Sequence, residues 1–451
     1  MNKLLSESDL IDYFIAGSKE KENWTIGTEN EKFLFGKENF LPVPYDGSKS
    51  IVEIFRILIS EFSWKPILEE EKIIGLTDIA NDKNITLEPG GQIELSGAKC
   101  SNLHQTFDEI QNYNKQLEFA CKKLDIGALE IGFCPDWRLS DMPRVPKKRY
   151  TIMRKYMPSV GKNGLDMMHR TATTQVNLDY SSEIDMKKKF KVSMALQPLI
   201  SMMFYNSPFN EGSLSGLFSY RSKVWRYTDP TRAGYLSFVF DKSFNFDTYT
   251  QYALDIPMYF ILREGKYEQT KNLTFRNFLL NGYKSNSGKR YIADIQDWEL
   301  HLSTLFPQVR LKKFIEMRGA DSGNQNLIMS LAAIWTGLLY SQVSLDACHD
   351  IISKWTFEDI VQLDISLNSE GFEAKFKNYK LSELLSELLD LSKHGLKDRN
   401  RKDSKNQLED IYLEELFEIV KNQKTPAHNL IEQYSRLWSK DILNIYSHFN
   451  S

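Results

Sequence analysis

Cysteine is scarce in this sequence and none of it is paired. The four cysteines among 451 residues, Cys100, Cys121, Cys134 and Cys348, show no CxxC or other metal-ligand spacing. Scattered reduced thiols are therefore expected, rather than a zinc site or a disulfide framework. No uninterrupted apolar run is long enough to cross a bilayer, so no membrane role is indicated. The first residues, MNKLLSESDLIDYF, carry Glu7, Asp9 and Asp12 and lack the apolar core of a signal peptide. No export or transit signal is visible there, and a cytoplasmic location is the expectation. Neither sign of charge dominates: 57 Lys+Arg against 60 Asp+Glu leave a net −3. Overall charge thus points to no nucleic-acid partner. There is no GxxxxGK[ST] loop and no internal repeat, so a bound nucleotide would have to be held without a P-loop.

What is present suits a globular protein. The length allows one large domain or two ordinary ones, and 41% hydrophobic residues supply a core. Two textures follow one another. Residues 1–325 alternate strand-like runs (NITLEPGGQIELSG, TATTQVNLDY, YLSFVF, LKKFIEMRGAD) with helical stretches at 102–124 and 185–205. Residues 326–451 read as mostly helical and are expected to pack on the first part as one structural unit. The run KHGLKDRNRKDSKN (393–406) reads as a solvated charged loop, and MALQPLISMMFY as core rather than a cofactor box.

The strands carry the chemistry. In TIGTENEKFLFG (25–36) Glu29 and Glu31 stand one residue apart, while Ile26, Phe33 and Phe35 help to pack the segment. In a strand both acids project from the same face, and they repel unless a cation or a proton lies between them. Gln92 and Glu94 share a face in QIEL, and Glu88 precedes a Pro89-Gly90-Gly91 turn that would bring it near Glu94. Thr173, Gln175, Asn177 and Asp179 form one face of a third strand. In FIEMRGAD, Glu316 and Arg318 alternate with Ile315 and Met317. Any one of these strands reads most simply as amphipathic with a wet face. Together, several faces of acids and amides are costly to bury unless they line an ion-filled cavity. An all-oxygen ligand set suits Mg²⁺ or Mn²⁺ and argues against zinc, and magnesium in turn suggests a nucleotide phosphate.

A second constellation is basic. SPFNEGSLSGLFSYRSKVWRYTDPTRAG (207–234) holds Arg221, Arg226 and Arg232 with Trp225, and PKKRYTIMRKYMPSVGKNG supplies Arg149, Arg154 and Lys155. Arg221 and Trp225, four apart, share a helical face. An anion clamp is favoured here over a solvated patch or a single-stranded nucleic-acid groove. His169, directly before Arg170, reads as packing.

In order along the chain, GTENEKF, ITLEPGGQIELSGA, RYTIMRKYMP, GLDMMHRTATTQVNLDYSSE, SLSGLFSYRSKVWRYTDPTRAG, YALDIPMYF and HLSTLFPQVRLKKFIEMRGAD resemble the glutamate–cysteine ligase family in its plant and alphaproteobacterial branch. The resemblance runs from about residue 20 to about 440. It implies an α+β fold, a glutamine-synthetase-like curved antiparallel sheet forming a funnel flanked by helices. It also implies ATP- and Mg²⁺-dependent joining of the glutamate γ-carboxylate to the cysteine amine through γ-glutamyl phosphate, the first step of glutathione biosynthesis. As partners it implies L-glutamate and L-cysteine, with a monomer or weak homodimer expected. Carried over block by block, metal binding falls to Glu29, Glu31, Glu88, Glu94 and Glu316. Arg318 would act on the moving phosphoryl group beside Glu316. Arg221, Trp225, Arg170, Gln175 and Arg232 would hold substrate, and Arg154 and Asn177 the nucleotide. Plant relatives carry a redox-switching hairpin disulfide after the TD block; no cysteine lies between Cys134 and Cys348 here, so that bridge cannot form. A γ-glutamyl ligase with another amine acceptor, or a catalytically silent relative that binds nucleotide or metal, remain alternatives.

Overall fold

The computed structural model describes residues 4–285 and 288–449. Among them nine strands make one sheet: β1 Ile26–Gly36, β2 Lys65–Glu69, β3 Lys72–Asp78, β4 Lys83–Leu87, β5 Ile93–Ser96, β6 Ile126–Leu129, β7 Thr173–Leu178, β8 Val309–Leu311 and β9 Ile315–Asp321. Their order is β8-β9-β7-β1-β5-β4-β3-β2, with β6 on the far end of β1. Every neighbouring pair is antiparallel. The register of β9 on β7 shifts between Met317 and Ala320, and that of β2 on β3 between Ile67 and Leu68. Such irregularities bend a strand and help a sheet to curve.

Strand alternation decides what each face meets. Ile85, Leu87, Ile93, Leu95, Val176, Leu178, Ile315 and Met317 are all buried, as the period of two requires when one face lies on a core. Helix Leu103–Leu124 packs against β1, and helix Gln325–Tyr340 packs against both β1 and β7. Helix Glu183–Met203 packs against β8 and β9. The first is capped by Asn102, whose side chain accepts from Gln105 N at 3.0 Å, and the third by Ser182. MALQPLISMMFY lies in the buried stretch of Glu183–Met203 and the residues just after it, a core segment as expected.

Two local readings are corrected. YLSFVF forms no strand: Ser237–Phe240 is a short 3₁₀ turn, with Val239 buried and Phe238 against Phe244 and Tyr252. A short apolar run carries no period that separates strand from turn. The charged run at 393–406 is a loop only after residue 400, because helix Leu381–Arg399 continues through its first half and ends at Asn400 with φ 49°. Leu396 and Gly395 are buried on that helix. A Cβ on Gly395 would stand 2.0 Å from the Gly337 carbonyl oxygen, so a glycine here lets the helix press onto Gln325–Tyr340. That contact holds residues 393–399 helical despite their charge.

Candidate active site

Register brings the acids together. Glu31 of β1 lies directly opposite Glu94 of β5, and Glu29 opposite Gln175 of β7. Glu316 of β9 faces Asn177 on one side and Arg310 of β8 on the other. The β4–β5 turn, in which Gly91 N donates to Glu88 O at 2.9 Å, puts Glu88 beside the Glu31–Glu94 pair. Gln92 ties this turn down: it accepts from Gly90 N at 2.9 Å and donates to Thr171 O at 2.7 Å. Glu29, Glu31, Glu88 and Glu94 all line one cleft of about 840 Å³, counting its open mouth.

Like charges directly opposite across strands are destabilising, and the electrostatics record it. Burial, then Glu88 and Glu94, push the Glu31 carboxyl well above the usual range. Burial, then Glu29 and Glu88, push Glu94 up to about 8. Thr173 N donates to Glu31 Oε2 at 3.0 Å, and Ser96 and Thr86 donate to Glu94 Oε1. Glu29 accepts from Gln175 Nε2 at 3.1 Å and Asn177 Nδ2 at 2.9 Å. Among the described residues no three acids converge as a ready-made ion cage. The four lining acids therefore crowd one wall of the cleft, and two of them, Glu31 and Glu94, favour the protonated state.

Glu316 stands apart from these four. It does not line the cleft. Arg310 Nη2 donates to its Oε1 at 2.9 Å, Arg310 Nε lies 2.6 Å from its Oε2, and Arg318 Nη1 donates to Oε2 at 2.7 Å. Burial pushes this carboxyl up, but Arg310, Lys312 and Arg318 overcome it and hold it far below the usual range. As it stands, Glu316 is a shared anchor for two arginines rather than an open ligand. Arg318 does line the cleft, and its Nη1 also donates to Gln175 Oε1.

The basic residues divide. Trp225 lines the cleft, and its indole N–H is buried without a partner among the described residues. Arg221 stacks near it, 5.7 Å from the ring centroid, as the four-residue spacing implies. Both its terminal nitrogens, however, are spent on the chain: Nη1 donates to Gly319 O at 3.0 Å, and Nη2 to Thr173 Oγ1 and Arg318 O at 2.9 Å each, while Nε is buried without a partner among the described residues. Arg170 does not reach the cleft either. It is held by Asp166, Asn210 and Glu211 and lies over the Phe133 ring. Arg232 is wholly buried, 2.7 Å from Asp229 and 4.0 Å above the Tyr259 ring. Arg154 donates to Thr151 on its own helix and is outside the cleft lining. Arg170 and Arg232 find partners and packing elsewhere, which sequence spacing cannot reveal, whereas Arg154 keeps a buried Nη1 without a partner among the described residues. His169 is buried, its pKa lowered to about 4 by burial and the nearby Arg154 and Arg144, consistent with packing.

Arg310, Arg149 and Tyr150 are among the cleft residues to which the sequence assigned no site role. Arg310 was hidden because its partner Glu316 is found only by pairing β8 with β9. Arg149 and Tyr150 stand in the quoted basic block, yet nothing in its spacing separates them from Arg154. Tyr150 donates to Leu87 O at 2.7 Å, which brings its helix, Lys148–Tyr156, against β4. Asn177 lies in a neighbouring opening of about 660 Å³ with Lys19, Thr25, Asn84 and Asp179. That opening and the main cleft adjoin the same run of the sheet.

An antiparallel sheet that sets opposed carboxylates beside a cleft-facing arginine is the frame of an enzyme that manages negative charge on two reacting groups. A family model described as glutamate–cysteine ligase family 2 matches residues 25–446, and the chain belongs to that family. The chloroplastic glutamate–cysteine ligase B of Oryza sativa subsp. japonica is 44% identical over 442 residues, 98% of this chain and 86% of that protein. The chloroplastic ligase of Medicago truncatula is 42% identical over 98% of this chain and 84% of its own. Among solved structures, the glutamate–cysteine ligase of Francisella tularensis in complex with AMP matches with a TM-score of 0.55 at 13% identity. It covers 96% of this chain and 90% of that one, a likeness of fold. The protein is accordingly a ligase, and its reaction is the one that opens glutathione biosynthesis. The expectation of a cytoplasmic location is overturned, since these plant relatives are named chloroplastic.

Proposed function

We propose that the enzyme uses ATP and Mg²⁺ to join the γ-carboxylate of L-glutamate to the amine of L-cysteine through γ-glutamyl phosphate. The observation that carries this reading is the buried Glu31–Glu94 pair, with Glu29 and Glu88 beside it, on a cleft that Arg318 also lines. Hard oxygen ligands are suited to a divalent cation, which would replace the protons that burial and then carboxylate repulsion favour on Glu31 and Glu94. Glu29, Glu31, Glu88 and Glu94 would hold Mg²⁺, and when bound it supplies countercharge to the phosphates.

In the reaction, a γ-carboxylate oxygen of glutamate attacks the γ-phosphorus of ATP and ADP leaves. The cysteine nitrogen, having lost its proton, then attacks the carbonyl carbon, and the C–O bond to phosphate breaks. Stabilising the moving charge is the larger part of such catalysis. Both bonds that Arg318 makes come from Nη1, which leaves the rest of its fork for the phosphoryl group. Arg310, which reaches both Glu316 oxygens, keeps that carboxylate neutralised if Arg318 turns to the phosphoryl group. Trp225 gives its free indole N–H to the glutamate. Asn177 and Gln175 orient Glu29 and separate the nucleotide opening, near Lys19 and Asn84, from the amino-acid cleft. An assay of ATP consumption with glutamate, with and without cysteine and before and after chelation, tests the reading. Dependence on both additions is expected. Full ADP release in the presence of chelator would remove the metal from the reaction, and indifference to cysteine would remove the acceptor.

A further inference from the structure

Just after helix Ile295–Leu302, successive backbone carbonyls are taken by buried arginines. Arg310 Nη1 donates to Ser303 O and Leu305 O at 3.0 Å each, and Arg232 Nη1 donates to Thr304 O at 3.3 Å. The other nitrogens of Arg310 hold Glu316, which in turn holds Arg318. One guanidinium thus ties the stretch 303–305 to the carboxylate that anchors Arg318. A planar fork with donors on three nitrogens is what such a double grip requires. Phe306 comes next and is pinned as well. Its N–H donates to Arg232 O at 2.7 Å, and Phe306–Pro307 pairs in parallel with Ala233–Gly234.

What this rigid stretch carries into the cleft is an aromatic ring. Phe306 lines the cleft together with Trp225 and Arg318. The Phe306 and Trp225 ring centroids lie 5.8 Å apart with their planes at 68°, edge to face. The Arg318 guanidinium carbon is 5.9 Å from each of them. Three nearly equal separations put both rings on one side of the guanidinium, as a corner rather than a sandwich. Its other side stays open. The side-chain hydrogen bonds of Arg318, to Gln175 and Glu316, both leave from Nη1. Bonds at a single nitrogen fix that atom but let the plane swing about it, so the rings complete the orientation.

We propose that Phe306 is a positioning residue for phosphoryl transfer. With Trp225 it backs the Arg318 guanidinium, so that the free edge of that group points at the phosphoryl being moved, and Arg310 and Arg232 hold the backing still. The inference rests on the ligase reading above. A guanidinium beside aromatic rings is drawn to their π electrons, more strongly where water is excluded. An aliphatic side chain of similar size fills the same space and supplies no such attraction. A guanidinium that tilts offers its donors away from the charge that develops as the phosphoryl group moves, so the loss falls on the transition state. Glutamate and ATP then bind as before, because Phe306 acts through Arg318 and not through either substrate.

Steady-state kinetics of the full chain, read as dipeptide formed and ADP released, test this. A wild-type enzyme that makes no dipeptide from glutamate, cysteine and ATP would remove the ligase reading itself. With the wild type active, the Phe306 variants decide. F306L keeps apolar bulk; its kcat is expected to fall about tenfold while the KM values for glutamate and ATP hold within about twofold. F306Y keeps the ring and is expected to stay within about threefold of the wild-type kcat. In an R318M background there is no guanidinium left to aim, so adding F306L is expected to cost at most about twofold more. F306M replaces F306L if the leucine variant does not fold, and F306L against F306Y carries the test if R318M turns over too slowly to measure. A glutamate KM raised in F306L with kcat unchanged would make Phe306 a substrate contact. Equal losses in F306L and F306Y, or an undiminished cost of F306L in the R318M background, would make its role one of packing alone. Each of these results would overturn the proposal.

Discussion

Arg221 and Arg318 sit one behind the other, and only Arg318 lines the cleft. Arg318 is expected to act on charge that appears as phosphoryl transfer proceeds. Arg318→Lys keeps the charge but loses the planar fork, so turnover at saturating substrates should fall by about 10²-fold to 10³-fold, the worth of one such donor. Arg221 instead grips the chain through Gly319, Thr173 and Arg318. Arg221→Lys leaves buried acceptors unmatched, and denaturant unfolding should show a loss of about 1–3 kcal/mol. A variant of Arg221 with intact stability and a glutamate KM raised alone would return it to direct substrate binding. The opposed acids make a prediction of the reverse kind. Glu94→Gln relieves repulsion, so the metal-free protein should melt higher, while turnover falls by orders of magnitude. The pH dependence follows from sign. The folded-state pKa of Glu94 is about 8 against an ordinary 4.5, so the folded state keeps a proton that the unfolded chain releases over that interval. Stability of the metal-free protein should therefore decline as pH rises from about 4.5 to about 8. Melting curves across that range with chelator should show the decline, and added Mg²⁺ should flatten it.

At the scale of elements, the β4–β5 hairpin sets how closely Glu88 approaches the other acids. Its turn is pressed against the helix that ends at Arg170: a Cβ on Gly90 would stand 2.2 Å from the His169 carbonyl oxygen. Gly90→Ala must move one backbone or the other. A lower melting temperature and a higher Mg²⁺ concentration for half-maximal activity are expected together. Normal metal dependence in a folded G90A enzyme would separate the turn from the metal site. This hairpin was legible in sequence because Pro-Gly-Gly punctuates two runs of period two. The strand faces were legible for the same reason, since alternation alone assigns Glu29 with Glu31 and Gln175 with Asn177. YLSFVF and residues 393–399 were not, because one is an apolar run without a period and the other is helical only through its contact with a distant helix.

Across the whole molecule, all four cysteines are free and buried. Burial raises the thiols of Cys121, Cys134 and Cys348 to about 12 and that of Cys100 to about 11. A protonated, buried thiol is a poor nucleophile. Mild oxidant should leave activity unchanged, and a thiol reagent should modify the native protein slowly and all four cysteines after unfolding. A severalfold activation reversed by dithiothreitol would contradict this. Sequence by itself determined that the strands carry acids on one face, that no P-loop or hairpin disulfide is available, and, through its ordered blocks, the family. Each of these depends on residue identity and short-range periodicity. Only the tertiary structure decided which acids meet and which arginines reach them. Glu31 finds Glu94 by register between strands far apart in sequence, and Arg310 finds Glu316 by the pairing of β8 with β9. An arginine's long fork can be satisfied equally by a substrate, a carboxylate or a backbone carbonyl. Its chemistry is therefore set by what the fold places within its reach.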